Sequence, residues 1–169
     1  MKIDDSSGTD WSLAESSDND FRVMLPKDWK IIREDEPDCS LIAYKGVEDG
    51  VNYIVQRVNY SPMLKEIEDG LVLTPKIRNE ILNARVRGFV DMQGGKLTSS
   101  RQTTFLGLDA IDFKATCSES NMEGTVLWLN GCTYSIITLQ PPGSITQFIY
   151  FKMSFYLDQT SKYIKGESI

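Results

Sequence analysis

Residues 105–140 define the architecture most clearly. They read Phe105-Leu-Gly-Leu-Asp-Ala-Ile-Asp-Phe-Lys-Ala-Thr-Cys117 and, after a short loop, Gly124-Thr-Val-Leu-Trp-Leu-Asn-Gly-Cys-Thr-Tyr-Ser-Ile-Ile-Thr-Leu-Gln140. Apolar and polar residues alternate from Ile111 to Cys117, which predicts a strand with one buried and one solvated face. The second stretch is apolar on both faces around Asn130-Gly131, a dipeptide that favours a two-residue hairpin turn. We therefore predict three consecutive antiparallel strands, of which the last two are central in the sheet.

The Asn130-Gly131 turn also determines how these strands align. If the preceding turn lies at Ser120-Asn121, Cys117 pairs with Gly124. Cys132 then lies about five residues further along, or ~16 Å at the usual rise per strand residue. A disulfide requires Cα atoms within about 7 Å. We therefore expect Cys117 and Cys132 to be unpaired core thiols.

A helix is predicted upstream of these strands. Thr74-Pro75 supplies a hydroxyl cap followed by proline at the first helical position, and Gly94-Gly95 ends the segment. Lys96–Phe105 follows as a polar strand that suits a sheet edge. The helix has one apolar stripe at helical spacing, formed by Ile77, Ile81, Leu82, Val86, Phe89 and Val90.

The C-terminal part predicts a second helix. Pro141-Pro-Gly143 breaks the chain, and Ser144 with Gln147 three residues later has the pattern of a capping box. The aromatic content of Phe148–Tyr156 would also fit a strand, but the cap and the length favour a closing helix of 13–14 residues over 144–157.

The N-terminal part predicts four more strands. Glu34–Asp38 is expected to be an acidic loop, Ser61–Leu73 to be irregular, and Trp29 to cover one end of the core. The strands are expected at Trp11–Ala14, Phe21–Leu25, Cys39–Lys45 and Val51–Tyr60, the last two joined by 46–50.

The length of 169 residues suits one domain. We expect a disordered lead-in over 1–10, a single α+β domain over 11–160 and a loose C-terminal tail over 161–169. The net charge of −6 argues against nucleic-acid partners, because neutralising phosphates needs a basic surface. No apolar run approaches the ~18–20 residues of a membrane span, so no membrane insertion by this chain is expected.

Chemical motifs are absent from the sequence. The chain has no histidine, which removes the usual general base and the commonest zinc ligand. The three cysteines form neither a disulfide framework nor a Cys-x-x-Cys motif, and they lie among apolar residues where thiols are inert. We therefore predict no catalytic, cofactor-binding or metal-binding residues.

Two charged sets have alternative interpretations. The carboxylates of Glu34–Asp38 could bind calcium, but they lack the spacing of a calcium loop, so a solvated charge run is the preferred interpretation. Lys76, Arg78, Arg85 and Arg87 could form an anion-binding helix face, or they could be separately solvated charges.

A third set is aromatic. Tyr44, Tyr53, Tyr60 and Trp128 could line an apolar groove, but we expect most of them to be core residues.

Several short motifs, taken in order, resemble the PsbP-like family. This fold is shared by the photosystem II extrinsic protein PsbP, the Ran-binding Mog proteins and the DcrB-like bacterial envelope lipoproteins. The resemblance covers about 11–157 and implies an antiparallel sheet with helices packed on its faces, an αβα sandwich. The matching segments are Phe21-Arg-Val-Met-Leu-Pro-Lys-Asp-Trp29, Val51–Val58, Thr74-Pro75, Phe105-Leu-Gly-Leu-Asp-Ala110, Asn130-Gly-Cys-Thr-Tyr134 and Ser154-Phe155.

The resemblance implies a non-enzymatic accessory or partner-binding domain with an unidentified protein partner and no cofactor. No motif here carries over the photosynthetic or Ran-binding functions. The polar N-terminus suits a tether, so we expect an extracytoplasmic location, in the periplasm or cell envelope, as a lipoprotein-type module. The alternative is a cytoplasmic partner-binding or chaperone-like protein, which unpaired cysteines would suit.

An enzyme is the third hypothesis. It would need carboxylate or tyrosine chemistry, and Asp109 and Asp112 have an odd spacing that places them on opposite faces of a strand. Any functional surface is expected near 34–38 and 61–73.

Overall fold

Ten strands and two helices form the part of the chain that the computed structural model describes, residues 10–37, 39–60 and 74–159. The predicted α+β class is confirmed. In chain order the elements are β1 (Trp11–Glu15), β2 (Phe21–Pro26), β3 (Lys30–Asp35), β4 (Ser40–Glu48), β5 (Val51–Asn59), α1 (Pro75–Met92), β6 (Lys96–Phe105), β7 (Leu108–Thr116), β8 (Asn121–Leu129), β9 (Cys132–Gln140), α2 (Phe148–Ser154) and β10 (Tyr156–Leu157).

Seven strands form one antiparallel sheet in the order β3-β4-β5-β9-β8-β7-β6. Strands β8 and β9 lie inside it and are buried along most of their length, as predicted. Strand β6 lies at one edge, also as predicted, and β3 lies at the other. A second sheet, in the order β1-β2-β10, is antiparallel as well.

The layers on the two faces of the large sheet are offset from each other. Helix α1 packs on β6, β7 and β8 through Leu82, Val86 and Val90. The small sheet packs on β4 and β5 on the opposite face, and α2 lies beside it on β9. The aromatic core there includes the buried Phe21, and Trp29 packs against its rim, as expected. The second face of β6–β8 is therefore only partly covered: Thr125 and Leu127 are buried on it, whereas Arg101 and Lys114 are mostly exposed.

The hairpin around Asn130-Gly131 is confirmed. Both residues have positive φ, 44° for Asn130 and 84° for Gly131, as a two-residue type I′ turn requires. Leu129 pairs with Cys132.

The predicted pairing between β7 and β8 is wrong by four residues. Phe113, not Cys117, pairs with Gly124, because the connecting loop spans Cys117–Ser120 and is closed by a 2.7 Å hydrogen bond between their backbones. A register shift of four residues keeps every side chain on the same face of the sheet. The alternation of apolar residues therefore fits both registers equally well. Cys117 and Cys132 form no disulfide with each other, as predicted; the first is half-buried and the second is buried.

The closing helix is shorter than predicted. It spans Phe148–Ser154, seven residues, and Ser144 does not cap it, because the Ser144 hydroxyl donates to the Pro141 carbonyl at 2.7 Å. Beyond the helix the chain extends and β10 pairs with β2. This extension buries Phe155 and Leu157 in the core, which a continued helix would not do.

The predicted acidic loop at 34–38 begins inside a strand that the sequence did not indicate. Glu34 and Asp35 belong to β3, and all six residues of this edge strand are exposed. Because neither face of β3 is buried, its sequence carries no alternation.

The predicted loop at 46–50 is a continuation of β4 followed by the two-residue turn Asp49-Gly50. Gly46 lies inside this strand, and its lack of a side chain allows Pro26 to pack against it. A Cβ at this position would lie 2.8 Å from the Pro26 Cδ.

Helix α1 starts as predicted. The Thr74 hydroxyl accepts a hydrogen bond from the Ile77 backbone N–H at 3.2 Å. The irregular segment predicted at 61–73, the lead-in at 1–9 and the tail at 161–169 lie outside the described residues, so the predicted domain limits remain predictions. Neither described helix has the length and apolar character that a membrane crossing needs.

Candidate functional site

The partly covered face of β6–β8 meets α2 in a groove of about 480 Å³, here called the α2 groove. Its floor comes from the three strands and one wall comes from α2. The groove is lined by Ser99, Arg101, Phe105, Asp112, Phe113, Lys114, Glu123, Gly124, Phe148, Ile149, Lys152 and Met153. It therefore combines charged strand residues with apolar helix residues.

Asp112 is at the centre of the charged floor. One carboxylate oxygen, Oδ1, accepts hydrogen bonds from Lys152 Nζ at 3.0 Å and from the Thr125 hydroxyl at 2.6 Å. The other oxygen, Oδ2, accepts a longer bond of 3.4 Å from Arg101 Nη2. Lys152 also lies over the ring of Phe105, 4.9 Å from its centroid. This arrangement ties α2 to strands β6, β7 and β8.

The environment of Asp112 stabilises its charged form. Burial acts to raise the pKa, but the hydrogen bonds from Thr125 and Lys152, together with the Lys152 charge, outweigh it and hold the pKa of Asp112 below its usual value. The carboxylate is therefore ionised at neutral pH and serves as an anchor for the lysine rather than as a proton donor.

Replacing Asp112 by Asn is expected to lower the free energy of unfolding by about 1 kcal/mol at pH 7, because a partly buried charged hydrogen-bonding group is lost. The folded pKa is depressed, so this contribution is complete above the unfolded pKa of about 3.9 and disappears as the pH falls through the folded pKa. Urea unfolding of both proteins between pH 7 and pH 2 measures the difference.

Asp109→Asn is the matched control. Its carboxylate is 57% exposed and lies 3.3 Å from Arg78, so its loss should change stability by less than about 0.5 kcal/mol. A difference between wild type and Asp112→Asn that stayed constant down to pH 2 would contradict the assigned role.

Helix α2 exposes apolar side chains along the groove. Its inner residues, Phe148 and Phe151, are buried in the core. On its outer side Ile149 is 76% exposed and Met153 is 71% exposed, and Ile145 before the helix is 91% exposed. Exposed apolar side chains that lie together beside polar groups are typical of interaction sites.

Two cations at the groove mouth are weakly engaged. Arg101 is 76% exposed, and its contact to Asp112 is the long one of 3.4 Å. Lys114 lies 3.9 Å from Glu123 and is also mostly exposed. The two acids of the floor, Asp112 and Glu123, thus already have cationic neighbours, while Arg101 and Lys114 retain capacity for another anion.

The aromatic residues considered from the sequence do not form one groove. Tyr44 and Tyr53 are buried in the core beneath the small sheet, whereas Tyr60 and Trp128 stack on the face that carries α1, with ring centroids 6.4 Å apart. Burial raises the pKa of Tyr53, whose hydroxyl accepts from the Gln147 backbone at 3.0 Å. The core interpretation is confirmed.

The basic residues of α1 are not joined in one site. Arg78 pairs with Asp109, and Arg85 donates to the Gln56 side-chain oxygen at 2.5 Å and lies over Phe89. Arg87 is exposed.

Asp109 and Asp112 lie on opposite faces of β7, as expected, since Asp109 contacts α1 and Asp112 faces α2. Of the predicted acidic loop, Glu34 and Asp35 are in β3 and Asp38 is outside the described residues. Across residues 10–37, 39–60 and 74–159, no three potential metal ligands come together.

Sequence reasoning did not find the α2 groove. One signal was available, because Asp112, Lys114 and Thr116 form the polar face of an alternating strand. Such a face is typical of a solvated strand surface, and its contact with Lys152 depends on tertiary packing.

The chain is similar in structure to a solved PsbP protein. The solution structure of cyanobacterial PsbP (CyanoP) from Synechocystis sp. PCC 6803 superposes with a TM-score of 0.58, covering 88% of this chain and 92% of that chain, at 11% sequence identity. The chain has the PsbP-like fold. No protein-family model matches the sequence, and no curated protein matches it.

The PsbP-like fold was the one implied by the sequence motifs, so that expectation is confirmed. At this level of identity the similarity establishes the architecture, and function has to be argued from the groove itself.

Proposed function

We propose that this protein is a non-enzymatic accessory domain that binds a protein partner through the α2 groove. The observation that carries the proposal is the row of exposed apolar residues on α2, Ile149 and Met153, beside a charged floor with two available cations. Protein interfaces commonly surround an apolar centre with a polar rim. The PsbP-like fold, as described for the family above, supports the same class of function.

The chemistry of the groove favours binding over catalysis. Asp112 is held as an ionised anchor by Lys152 and Thr125, which suits structure rather than proton transfer. The chain also has no histidine to act as a general base near neutral pH.

We further propose an envelope location as a lipoprotein-type module, which the polar lead-in and the DcrB-like resemblance support. The cytoplasmic alternative is a partner-binding or chaperone-like protein; three cysteines that form no disulfide favour it, because thiols persist in reducing compartments. Fractionation of the producing cells, with mass spectrometry of the mature N-terminus, distinguishes the two. A lipid-modified N-terminus in the envelope fraction would exclude the cytoplasmic alternative.

Replacing Ile149 by Asp is expected to weaken partner binding about 10- to 100-fold, because an apolar side chain of this size contributes ~1.5–3 kcal/mol when buried. The test uses the full chain carrying a photo-crosslinking residue at Met153 and measures cross-linked partner in extracts of the producing organism.

Met92→Asp is the matched control, since Met92 is 81% exposed at the end of α1, away from the groove. It should leave the cross-linked yield unchanged. Equal yields from wild type and Ile149→Asp, with both proteins folded, would reject the groove as the binding site.

A further inference from the structure

The outer edge of β6 is open to another strand. Among the described residues, β6 pairs with β7 on one side and with no strand on the other. The hairpin turn Leu106-Gly107 has two residues of positive φ, and Phe105 pairs with Leu108 across it. Phe105 and Leu108 form a hydrogen-bonded pair at this turn, and hydrogen-bonded and non-hydrogen-bonded pairs alternate along the two strands from there. The backbone N–H and C=O groups of Ser100, Gln102 and Thr104 therefore point away from β7, toward the open edge.

This edge carries little of the protection that edge strands normally have. Prolines, several charges or inward-pointing charged residues usually prevent pairing with other chains. The segment Ser99–Phe105 has no proline and one charge, Arg101. An irregularity between Leu97 and Ser99 interrupts the register, so the seven residues after it form the regular part.

The charges near the edge select the kind of strand that fits. Arg101 points from β6 into the α2 groove, and Lys114 lies on the next strand, paired in register with Ser99. Both cations are weakly engaged, as described above, and no acid occurs between Lys96 and Phe105. An added strand therefore meets the weakly engaged cation of Arg101 on its groove side, with Lys114 one strand further in.

We propose that β6 binds an extended, acidic segment of the protein partner as an eighth strand of the large sheet, with a carboxylate opposite Arg101. This rests on the proposed function and names the partner's chemistry. Arg101 would occupy a non-hydrogen-bonded pair with the new strand, where opposing Cα atoms are about 4.5 Å apart and side chains contact most closely. Alternate side chains of the segment enter the groove. The same partner is therefore bound both by strand addition at β6 and by the exposed apolar residues of α2.

The test uses blocked peptides and the ¹⁵N-labelled full chain. The acidic octapeptide Ac-(Thr-Glu)₄-NH₂ should shift the amide signals of Ser100, Gln102 and Thr104 and slow their hydrogen exchange. The basic peptide Ac-(Thr-Lys)₄-NH₂ should bind at least tenfold more weakly. An acidic peptide with N-methyl groups on alternate residues keeps the charge but cannot form the ladder, so it should bind at least tenfold more weakly too.

Arg101→Glu should reverse the preference between the acidic and basic peptides, while Arg33→Glu on the opposite edge strand β3 should not. Equal binding of the N-methylated peptide would overturn strand addition, as would shifts confined to β3. Self-association of the chain through β6, detected by sedimentation, would replace the partner segment by a second copy and also overturn the proposal. If no peptide binds but Ile149→Asp still abolishes cross-linking, the proposed function stands and this inference fails.

Discussion

Replacing Arg57 by Met is expected to lower the free energy of unfolding by about 3–5 kcal/mol, because it leaves a buried carboxylate without its cation. Arg57 is buried on β5 and donates to Asp20 Oδ2 at 2.7 Å and to Asp18 Oδ2 at 2.9 Å. Asp20 is fully buried. An isolated charge at that depth is far costlier than an exposed one.

The same carboxylate joins the two sheets. Asp20 accepts from the Ser16 hydroxyl at 2.5 Å and from the Tyr134 hydroxyl on β9 at 2.9 Å. Burial and the neighbouring Asp20 carboxylate raise the pKa of Tyr134, so its hydroxyl stays protonated as a donor. The network therefore fixes the turn between β1 and β2 onto the centre of the large sheet.

Urea unfolding measures the effect, with Arg33→Met as the control. Arg33 is exposed and donates to the Ser17 hydroxyl at the surface, so its loss should cost less than about 0.5 kcal/mol. The double variant Arg57→Met, Asp20→Asn should recover part of the loss, because it removes the uncompensated charge. Similar stabilities for Arg57→Met and Arg33→Met would contradict the assigned role of the network.

Replacing Phe151 by Ala is expected to cost about 3–5 kcal/mol as well, by creating a cavity in the core. Phe151 is fully buried in α2, and its ring lies edge-on to Tyr53, with centroids 5.3 Å apart. It also contacts Trp11 at the start of β1. Since α2 has only seven residues, its position depends on this packing rather than on its own helical stability.

Met153→Ala provides the comparison, because Met153 is on the same helix and largely exposed. It should change the free energy of unfolding by less than about 0.5 kcal/mol. NMR spectra of Phe151→Ala, recorded where it is still folded, should show displaced signals for Asp112 and Lys152. Unperturbed groove signals would show that α2 holds its place without Phe151.

The parts of the fold that were predictable from the sequence have strong local signals. The β8–β9 hairpin follows from a turn that needs two positive φ values, and α1 follows from its cap and apolar stripe. Strand β3 was not predictable, because none of its six residues is buried. The end of α2 was missed because burial of Phe155 and Leu157 against β2 overrides the helical pattern.

The groove was harder to predict than the fold. Its central contact joins Asp112 and Lys152, which are 40 residues apart, and each has an ordinary place in its own segment. The site exists because the covering layers are offset, and no local pattern encodes that offset. For the same reason the described part of the surface expected at 34–38 does not line the groove, while the surface expected at 61–73 lies outside the described residues and stays a prediction.

The pairing of β10 with β2 has a consequence for synthesis of the chain. The Met24 N–H donates to the Ser154 hydroxyl at 3.0 Å across 130 residues, and Phe21 pairs with Leu157. On the ribosome the strand that completes the sheet of this first hairpin is made about 130 residues after the hairpin itself. The nascent chain must therefore carry Phe21, Val23 and Leu25 without their final neighbours while those residues are made, which exposes apolar surface to premature association.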